Sequence, residues 1–183
     1  MSETQTRKTL RAPRVVIREA QATDAAVIAA LYRSLVQDAH INVRPERLEA
    51  IAADPNTYLF VCEVDGVVCG TLLLTLCLDA MYGSQQFGVI ENVVVSETRR
   101  STGIGSRLME HVEAVCRARD CSKMMLLSAA ARVQAHRFFE RHGFSAAGKR
   151  GFVKYRRQFS TRSAARDVPQ RGHSSDAGAP HAW

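Results

Sequence analysis

Apolar and polar positions along the chain alternate at strand spacing and at helical spacing in turn. VVIREA (15–20) predicts a short strand, and the Thr-Asp pair at 23–24 can cap a helix whose apolar residues recur at helical spacing as far as Leu35. Pro45 suits the first turn of a second helix, which the Asp-Pro pair at 54–55 ends. The first third of the chain therefore predicts one strand followed by two helices.

A hairpin is the clearest pattern in the next stretch, YLFVCEVDGVVCGTLLLTLCL (58–78). Asp65 and Gly66 separate two β-rich runs, and the two-residue turn that this pair favours requires positive φ at both positions. Such a turn places Cys62 directly opposite Cys69, with their Cα atoms about 5.5 Å apart. A disulfide is geometrically allowed there, but a reducing compartment disfavours it.

The second half of the chain predicts three more strands and two helices. The strands are VIENVVV (89–95), KMMLLS (123–128), which we expect to be buried, and FVKYRRQF (152–159); the helices are the stretch through Leu108, Val112 and Val115, and the amphipathic AHRFFERHGF (135–144), closed by Gly143. This order of elements predicts an α/β fold in which helices cover a single mixed sheet.

Length and charge favour one folded domain with polar ends. A chain of 183 residues with 46% hydrophobic residues can build one complete core. The two ends hold +4 of the net charge of +7, so the body is only mildly basic and a nucleic-acid partner is not favoured. We predict a flexible basic N-terminus (1–13), a domain (14–159) and a disordered tail (160–183), which has too few large apolar residues to fold.

Cysteine usage and the absence of long apolar runs indicate the compartment. Five cysteines without a C-x-x-C or a Cys/His cluster at metal spacing predict free thiols in a reducing environment, with no metal site. No run reaches the roughly 20 apolar residues of a membrane span, and the polar, basic start does not resemble a secretory signal. The sequence therefore predicts a cytoplasmic protein without a membrane partner.

Two arginines, two small hydroxyl residues and a Gly-x-Gly stand together in RRSTGIGSRLMEH (99–111), which follows a predicted strand and begins a helix. Unpaired N–H groups at the positive end of a helix dipole form an anion site, and phosphate is its usual occupant. Gly103 and Gly105 let the backbone approach an anion closely, and the two arginines that open the stretch can pair with phosphate oxygens. Leu108 replaces the third glycine of a dinucleotide fingerprint. A plain turn before a helix is the alternative.

With the strand IENVVV before it and AHRFFERHGF after it, the R-x-x-G-x-G segment resembles the GNAT superfamily of acetyl-coenzyme A dependent N-acetyltransferases. The resemblance covers residues 14–159 and implies a central, mostly antiparallel twisted sheet, with helices on both faces and a splayed strand pair that binds acetyl-coenzyme A. The residues that it assigns to this cofactor are Val93, Val94 and Val95 along the pantetheine arm; Arg100, Ser101, Thr102, Gly103, Ile104, Gly105 and Ser106 around the pyrophosphate, with Arg99 adding charge; and Arg132, Ala135, Phe138 and Phe139 on a second wall.

Acetylation of an amine requires a group that accepts a proton, because an amine resembling lysine is mostly protonated at neutral pH. Glu91 is the candidate base, since it is the only carboxylate in an otherwise apolar strand, where an unused charge is costly. The resemblance places a catalytic glutamate at the same position, and it implies that a backbone N–H of Val93 or Val94 holds the developing oxyanion. A structural pair between Glu91 and an arginine is the alternative.

No residue among the predicted catalytic groups is an evident acid for protonating the leaving thiolate. Many members of the family carry a tyrosine where this chain has Phe139, so Tyr155 or a water is the substitute, and a slow or inactive protein is the other interpretation. A thiolate whose conjugate acid has a pKa of about 8.5 already leaves readily. His136 and His142 flank the same helix and are interpreted as structural.

The acceptor is predicted to be a small molecule with a primary amine. The stretches that usually shape the acceptor site in the family, here 32–47, 79–86 and 146–156, are more basic than acidic. They favour an amine that carries an acidic or neutral group over a polycation. A protein N-terminus or lysine is the alternative acceptor, and a non-catalytic acyl-coenzyme A binding or sensing domain and a nucleic-acid-associated protein are the rival classes. A homodimer is compatible with the sequence.

Overall fold

The structure, a computed structural model, describes residues 11–36 and 38–159. The chain divides into a compact unit that ends at Gly148 and a second unit that begins at Lys149. The predicted disordered tail, 160–183, lies outside the described residues, as do residues 1–10 of the predicted N-terminal segment. The boundaries of the predicted domain, 14–159, stay a prediction.

The first unit alternates strands and helices in the predicted order. Its elements are β1 (Val15–Glu19), α1 (Ala25–Leu35), α2 (Pro45–Ala52), β2 (Thr57–Val64), β3 (Val67–Leu78), β4 (Gln86–Val95), α3 (Ile104–Ala118), β5 (Met124–Leu126) and α4 (Val133–Arg141). Short 3-10 turns at Ala22–Asp24 and Glu97–Arg99 precede α1 and the glycine loop. Gly143, with φ +81°, follows α4 as predicted.

The strands form one mixed sheet in the order β1-β2-β3-β4-β5. Neighbours from β1 to β4 are antiparallel, whereas β4 and β5 are parallel. On one face, Phe60 of β2 belongs to the same buried cluster as Leu108 of α3, which we call the α3 cluster. On the other face, Val61 belongs to a cluster with Ile28 of α1, which also contains α2 and which we call the α1 cluster. The predicted α/β fold, with a mostly antiparallel sheet covered on both faces, is confirmed.

The hairpin between β2 and β3 turns as predicted, but its register differs. Asp65 and Gly66 have φ of +52° and +82°. A β-bulge follows the first two pairs, so Cys62 lies opposite Gly70, and its predicted pairing with Cys69 is wrong. The reason is the extra residue of the bulge, which shifts β3 by one position. Both thiols are free and buried, and the Cys69 thiol donates a hydrogen bond of 3.4 Å to the Cys62 carbonyl oxygen.

Strand β5 is shorter and more exposed than KMMLLS (123–128) predicts. Only Met124–Leu126 pair with β4, and Leu127 is 48% exposed. The prediction of a buried strand is wrong because β5 is the outermost strand of the described sheet. Strand β4 continues to Val95 along β3, whereas its β5 side has no strand partner beyond Ile90 within the described residues. The two parallel strands therefore separate after Ile90, and we call this opening the splay.

The segment 152–159 does not form the predicted last strand. Every one of its residues is exposed, and Arg156–Gln158 form a 3-10 turn. The Tyr155 N–H donates a hydrogen bond of 2.8 Å to Gln158 Oε1, and the Arg157 guanidinium lies over the Tyr155 ring. An alternating pattern holds a strand only when one face is packed, so these local contacts decide the conformation instead.

Candidate active site

A β-bulge in β4 determines where the side chains beside the splay point. Glu91 lies opposite Leu73 and Val94 opposite Thr71, so β4 has one more residue than β3 between these pairs. Asn92 has φ +55°, a left-handed conformation that asparagine adopts more readily than most residues. Because directly opposed residues share a face, Glu91 faces the same side as Leu73, which packs against the α1 cluster.

Beyond this bulge the alternation of side chains is shifted by one residue. Val93 and Val95 pack against the α3 cluster, to which Ile90 also belongs. In a regular strand, Ile90 and Val93 would point to opposite faces, because successive side chains alternate. The bulge therefore lets Glu91 face the α1 side while the valines that follow it still cover the α3 side.

The Tyr32 hydroxyl of α1 lies near the Asn92 side chain at the bulge. Burial raises the pKa of Tyr32 to about 12, and the neighbouring Asn92 side chain lowers it by a smaller amount. Sequence reasoning missed both residues. The available signal is the Glu-Asn pair inside IENVVV, since asparagine is depleted in strand interiors and tolerates positive φ.

The Glu91 side chain is exposed although the strand around it is apolar. In the part of the chain that the structure describes, no arginine or lysine forms an ion pair with Glu91; the carboxylates that do pair belong to other residues. The alternative of a structural Glu91–arginine pair is therefore not observed. The cost of burying a charge does not apply to this exposed group, and what the structure offers is a free carboxylate beside the splay.

The loop after β4 presents a row of free backbone N–H groups. Those from Ser101 to Ser106 have no backbone acceptor in residues 11–36 and 38–159, and Arg107 is the first whose N–H bonds back, to the Gly103 carbonyl oxygen at 3.1 Å. Ser101 and Gly103 have φ of +61° and +85°. Consecutive N–H groups at such a turn and at a helix N-terminus favour an anion. We call this segment the 101–106 cradle.

The two glycines of the cradle have different roles. A Cβ on Gly103 would meet nothing within 4 Å, so the space beside Gly103 is open and the positive φ is what requires glycine. A Cβ on Gly105 would lie 3.1 Å from the Phe138 ring. The close backbone approach to an anion that we predicted for both glycines therefore fits Gly103. Gly105 instead allows α3 to pack against α4.

The polar side chains from Arg99 to Thr102 are exposed, Ser106 is half-buried, and Ile104 is buried. Arg100 forms an ion pair with Glu97 at 3.3 Å, whereas no described carboxylate pairs with Arg99. The Thr102 hydroxyl donates a hydrogen bond of 2.6 Å to the Arg99 carbonyl oxygen. Ile104 is buried in the α3 cluster, so only its backbone faces the cradle.

The predicted second wall also has a buried and an exposed part. Phe139 is 9% exposed and belongs to the α3 cluster, against which Ala135 and Phe138 pack. Arg132 is exposed and directly precedes α4. The Phe138 ring therefore contacts the cradle at Gly105, whereas the Phe139 ring lies in the core.

The two histidines beside α4 are hydrogen-bonded to other groups of the first unit. His142 Nε2 lies 3.0 Å from Ser106 Oγ, and His136 Nε2 lies 3.0 Å from the Ala129 carbonyl oxygen, which agrees with structural roles for both rings. Tyr155 belongs to the second unit, so its role as a substitute acid stays a prediction.

Metal ligation and membrane insertion have no support in the described residues. No group of His, Cys, Asp and Glu among residues 11–36 and 38–159 is arranged to hold a metal ion. The helices of the same ranges lack the length and apolar character that crossing a bilayer requires.

Solved structures share this architecture. A putative acetyltransferase from Agrobacterium tumefaciens is 27% identical with a TM-score of 0.70, covering 76% of this chain and 99% of that chain. The glucosamine-6-phosphate N-acetyltransferase of Arabidopsis thaliana is 23% identical with a TM-score of 0.66, covering 78% and 98%. The aminoglycoside N-acetyltransferase AAC(6')-Iy, in complex with CoA, is 19% identical with a TM-score of 0.68, covering 80% and 97%. The last two show the fold alone.

Sequence comparisons agree with the fold. The tRNA(Met) cytidine acetyltransferase TmcA of Aeropyrum pernix is 30% identical over 150 residues, which are 72% of this chain, and the chain spans only 20% of the length of that relative. The model of the acetyltransferase (GNAT) family matches residues 28–144, which include β4, the cradle and α4. The chain belongs to the GNAT acetyltransferase family and is an acyltransferase.

Proposed function

We propose that this acyltransferase transfers the acetyl group of acetyl-coenzyme A to the primary amine of a small molecule, with Glu91 as the base. The observation that carries the proposal is the order of features along one strand. Glu91 stands at the beginning of the splayed part of β4, and the 101–106 cradle follows its end. A ligand with an anionic group at one end and a reactive thioester at the other fits this arrangement.

The residues of the chain fit acetyl-coenzyme A, which supplies the activated acetyl group when bound. The N–H groups of the cradle can hold a pyrophosphate, because they are free and lie at the positive end of α3. The Arg99 guanidinium adds an available charge. The free edge of Val93–Val95 can pair with the amides of a pantetheine arm as a neighbouring strand would.

Glu91 suits the role of base by position and by accessibility. An amine must lose a proton before or during its attack on the thioester, and an exposed carboxylate without an ion-pair partner can accept that proton directly or through a water. A backbone N–H of Val93 or Val94, the next valines along the strand, can hold the carbonyl oxygen as it gains negative charge; successive N–H groups of a strand point to opposite edges, so one of the two faces the splay.

The stretch 32–47, from the end of α1 to the start of α2, supports an acceptor with an acidic or neutral group. Arg33, Arg44 and Arg47 are exposed, and none of them pairs with a described carboxylate. Of the two carboxylates in this stretch, that of Asp38 is bonded to the His40 ring at 2.9 Å, and that of Glu46 is exposed. The three arginines outnumber the two carboxylates, and a surface of this sign attracts anions more than cations.

An RNA acceptor is the second candidate, because the curated relative that matches this chain is named a tRNA(Met) cytidine acetyltransferase. The mildly basic surface is compatible with it, but the splayed strand and cradle are equally suited to a small acceptor. The salt dependence of acceptor binding distinguishes the two candidates, because RNA binding through phosphates weakens steeply as the salt concentration rises.

The test is release of free thiol from acetyl-coenzyme A with a panel of acceptors. The panel contains small amines with carboxylate, phosphate or neutral substituents, a polyamine, a lysine-containing peptide with a free N-terminus, and transfer RNA. The proposal expects turnover with an anionic or neutral small amine. Turnover only with the peptide or the RNA contradicts the small-molecule acceptor, and cofactor binding without turnover on any acceptor identifies a sensing domain.

A further inference from the structure

Ser128 follows β5, and its hydroxyl oxygen is buried without a hydrogen-bond partner in the described residues. The burial of this oxygen shows that the Ser128 hydroxyl points into the protein, whereas the neighbouring Leu127 side chain is 48% exposed. A buried hydroxyl that bonds to nothing destabilises the folded state, because it has given up its bonds to water. Such a group calls for an explanation in terms of a partner that is not part of the chain.

Ser128 stands at the origin of the splay. Leu126 is the last residue of β5 that pairs with β4, where it lies opposite Ile90. Ser128 comes two residues later, where the strands have separated. Leu126 also packs against the α3 cluster, of which Phe139 is a member.

The hydroxyl can reach a ligand by a small movement. Ser128 as a residue is only partly buried, although its oxygen is fully buried. Rotation about χ1 carries a serine hydroxyl between staggered positions without moving the backbone. A ligand in the splay can therefore satisfy a group that the protein alone leaves without a partner.

We infer that the Ser128 hydroxyl donates a hydrogen bond to the sulfur of coenzyme A and stabilises the leaving thiolate. The inference rests on the proposed function, and it supplies a donor that the apolar Phe139 cannot provide. In this step the amine nitrogen bonds to the carbonyl carbon, and the C–S bond breaks with its electron pair on sulfur. The amine proton passes to Glu91. The serine keeps its own proton, and the thiolate takes one from water after release.

The first experiment measures the pKa of the bound coenzyme A thiol from the ultraviolet absorbance of the thiolate. A hydrogen bond to the thiolate lowers that pKa, so Ser128→Ala should raise it by about one unit. The same variant should raise the Tm of the ligand-free protein by about 2–6 °C, because it removes an unsatisfied buried hydroxyl. Ser128→Cys, a weaker donor, should give an intermediate thiol pKa and serves if the alanine variant fails to fold.

Ser122→Ala is the matched control, since Ser122 precedes the same strand, is exposed, and donates its hydroxyl to the Gln86 carbonyl oxygen at 3.2 Å. It should leave the pKa of the bound thiol unchanged. Phe139→Tyr supplies the complementary test: added to Ser128→Ala, it should restore the lower thiol pKa, and added to the wild type it should change that pKa much less.

The outcomes separate the two proposals. A higher Tm in Ser128→Ala with an unchanged thiol pKa overturns the inference and makes Ser128 an unsatisfied core residue only. A raised thiol pKa in a protein that acetylates no amine keeps the inference and rejects the proposed transfer. Absence of coenzyme A binding to the wild type rejects both.

Discussion

Gly105, in the first turn of α3, lies so close to Phe138 of α4 that a methyl group on the glycine would be 3.1 Å from the ring. This contact joins the N-terminal end of α3, where the cradle lies, to α4. The position of the cradle N–H groups consequently depends on the Phe138 side chain, which packs against Gly105. Packing at this point and cofactor affinity should therefore change together.

The first prediction concerns this contact. Gly105→Ala should destabilise the protein by about 1–3 kcal/mol, because an added methyl group forces the ring or the helix to move. Urea unfolding measures the change. Phe138→Leu, combined with Gly105→Ala, should recover part of the loss because the smaller side chain makes room. A wild-type unfolding midpoint for Gly105→Ala would mean that α3 and α4 do not pack as described.

The second prediction concerns the open side of the cradle. Acetyl-coenzyme A at 100 times its Kd should stabilise the wild type by about 2.7 kcal/mol, and Gly103→Asp should remove most of this effect by placing a negative charge where phosphate binds. Thermal unfolding with and without acetyl-coenzyme A measures the stabilisation by the ligand in the wild type and in Gly103→Asp. Gly83→Asp is the control, since Gly83 also has positive φ, +67°, and open space around it. An equal loss of the ligand effect in both variants would point to strain and not to charge.

The third prediction concerns the base. Glu91→Gln should lower turnover at neutral pH by about 10²–10⁴-fold and leave the affinity for acetyl-coenzyme A nearly unchanged, because the amide keeps the shape and loses the basicity. Thiol release and calorimetric binding separate the two effects. Glu113→Gln, on the exposed face of α3, should retain wild-type turnover. Wild-type turnover in Glu91→Gln would exclude Glu91 as the base.

The fourth prediction concerns the ion pair beneath α1. Arg18 binds both carboxylate oxygens of Asp24, at 2.7 and 3.0 Å, and this bond lowers the pKa of Asp24. A lowered native pKa stabilises the fold above the ordinary aspartate value of about 3.9 and loses that contribution as the pH falls through the native value. Asp24→Asn should therefore cost about 1.5–3 kcal/mol at pH 7.

Urea unfolding across a pH series tests the sign of this effect. The difference between Asp24→Asn and the wild type should shrink as the pH falls below about 3.9. Asp38→Asn is the control, because the Asp38–His40 pair is exposed and should contribute no measurable stability. A difference between Asp24→Asn and the wild type that stays constant with pH would assign the loss to packing.

Most strands and helices of the first unit follow from local patterns, because turn and capping preferences depend on residues close in the chain. Pro45 begins α2, and Asp65-Gly66 turns the hairpin, as their backbone preferences require. The register of Cys62 could not be predicted in the same way. A bulge adds a residue without changing the alternation of apolar types nearby, so the pattern of β3 fits both registers.

Within the site, the cradle was predictable and its surroundings were not. Positive φ at Gly103 follows from a glycine before a helix, but the contact of Gly105 with Phe138 joins residues more than 30 positions apart in the chain. The same holds for the approach of Tyr32 to Asn92, which depends on how α1 lies across the sheet. Long-range contacts of this kind depend on the packed fold, which no local pattern encodes.

The bulge at Asn92 shifts the alternation of side chains along β4 by one residue. Before it, even-numbered residues such as Ile90 face the α3 cluster, and after it odd-numbered residues such as Val93 and Val95 do. Deletion of Asn92 would restore a single alternation along β4 without moving the side chains that precede it. It would also bring the cradle one residue closer along the chain to Glu91. The number of residues between Glu91 and the cradle therefore depends on the bulge, and under the proposed function a deletion at Asn92 should change the length of ligand that spans the two.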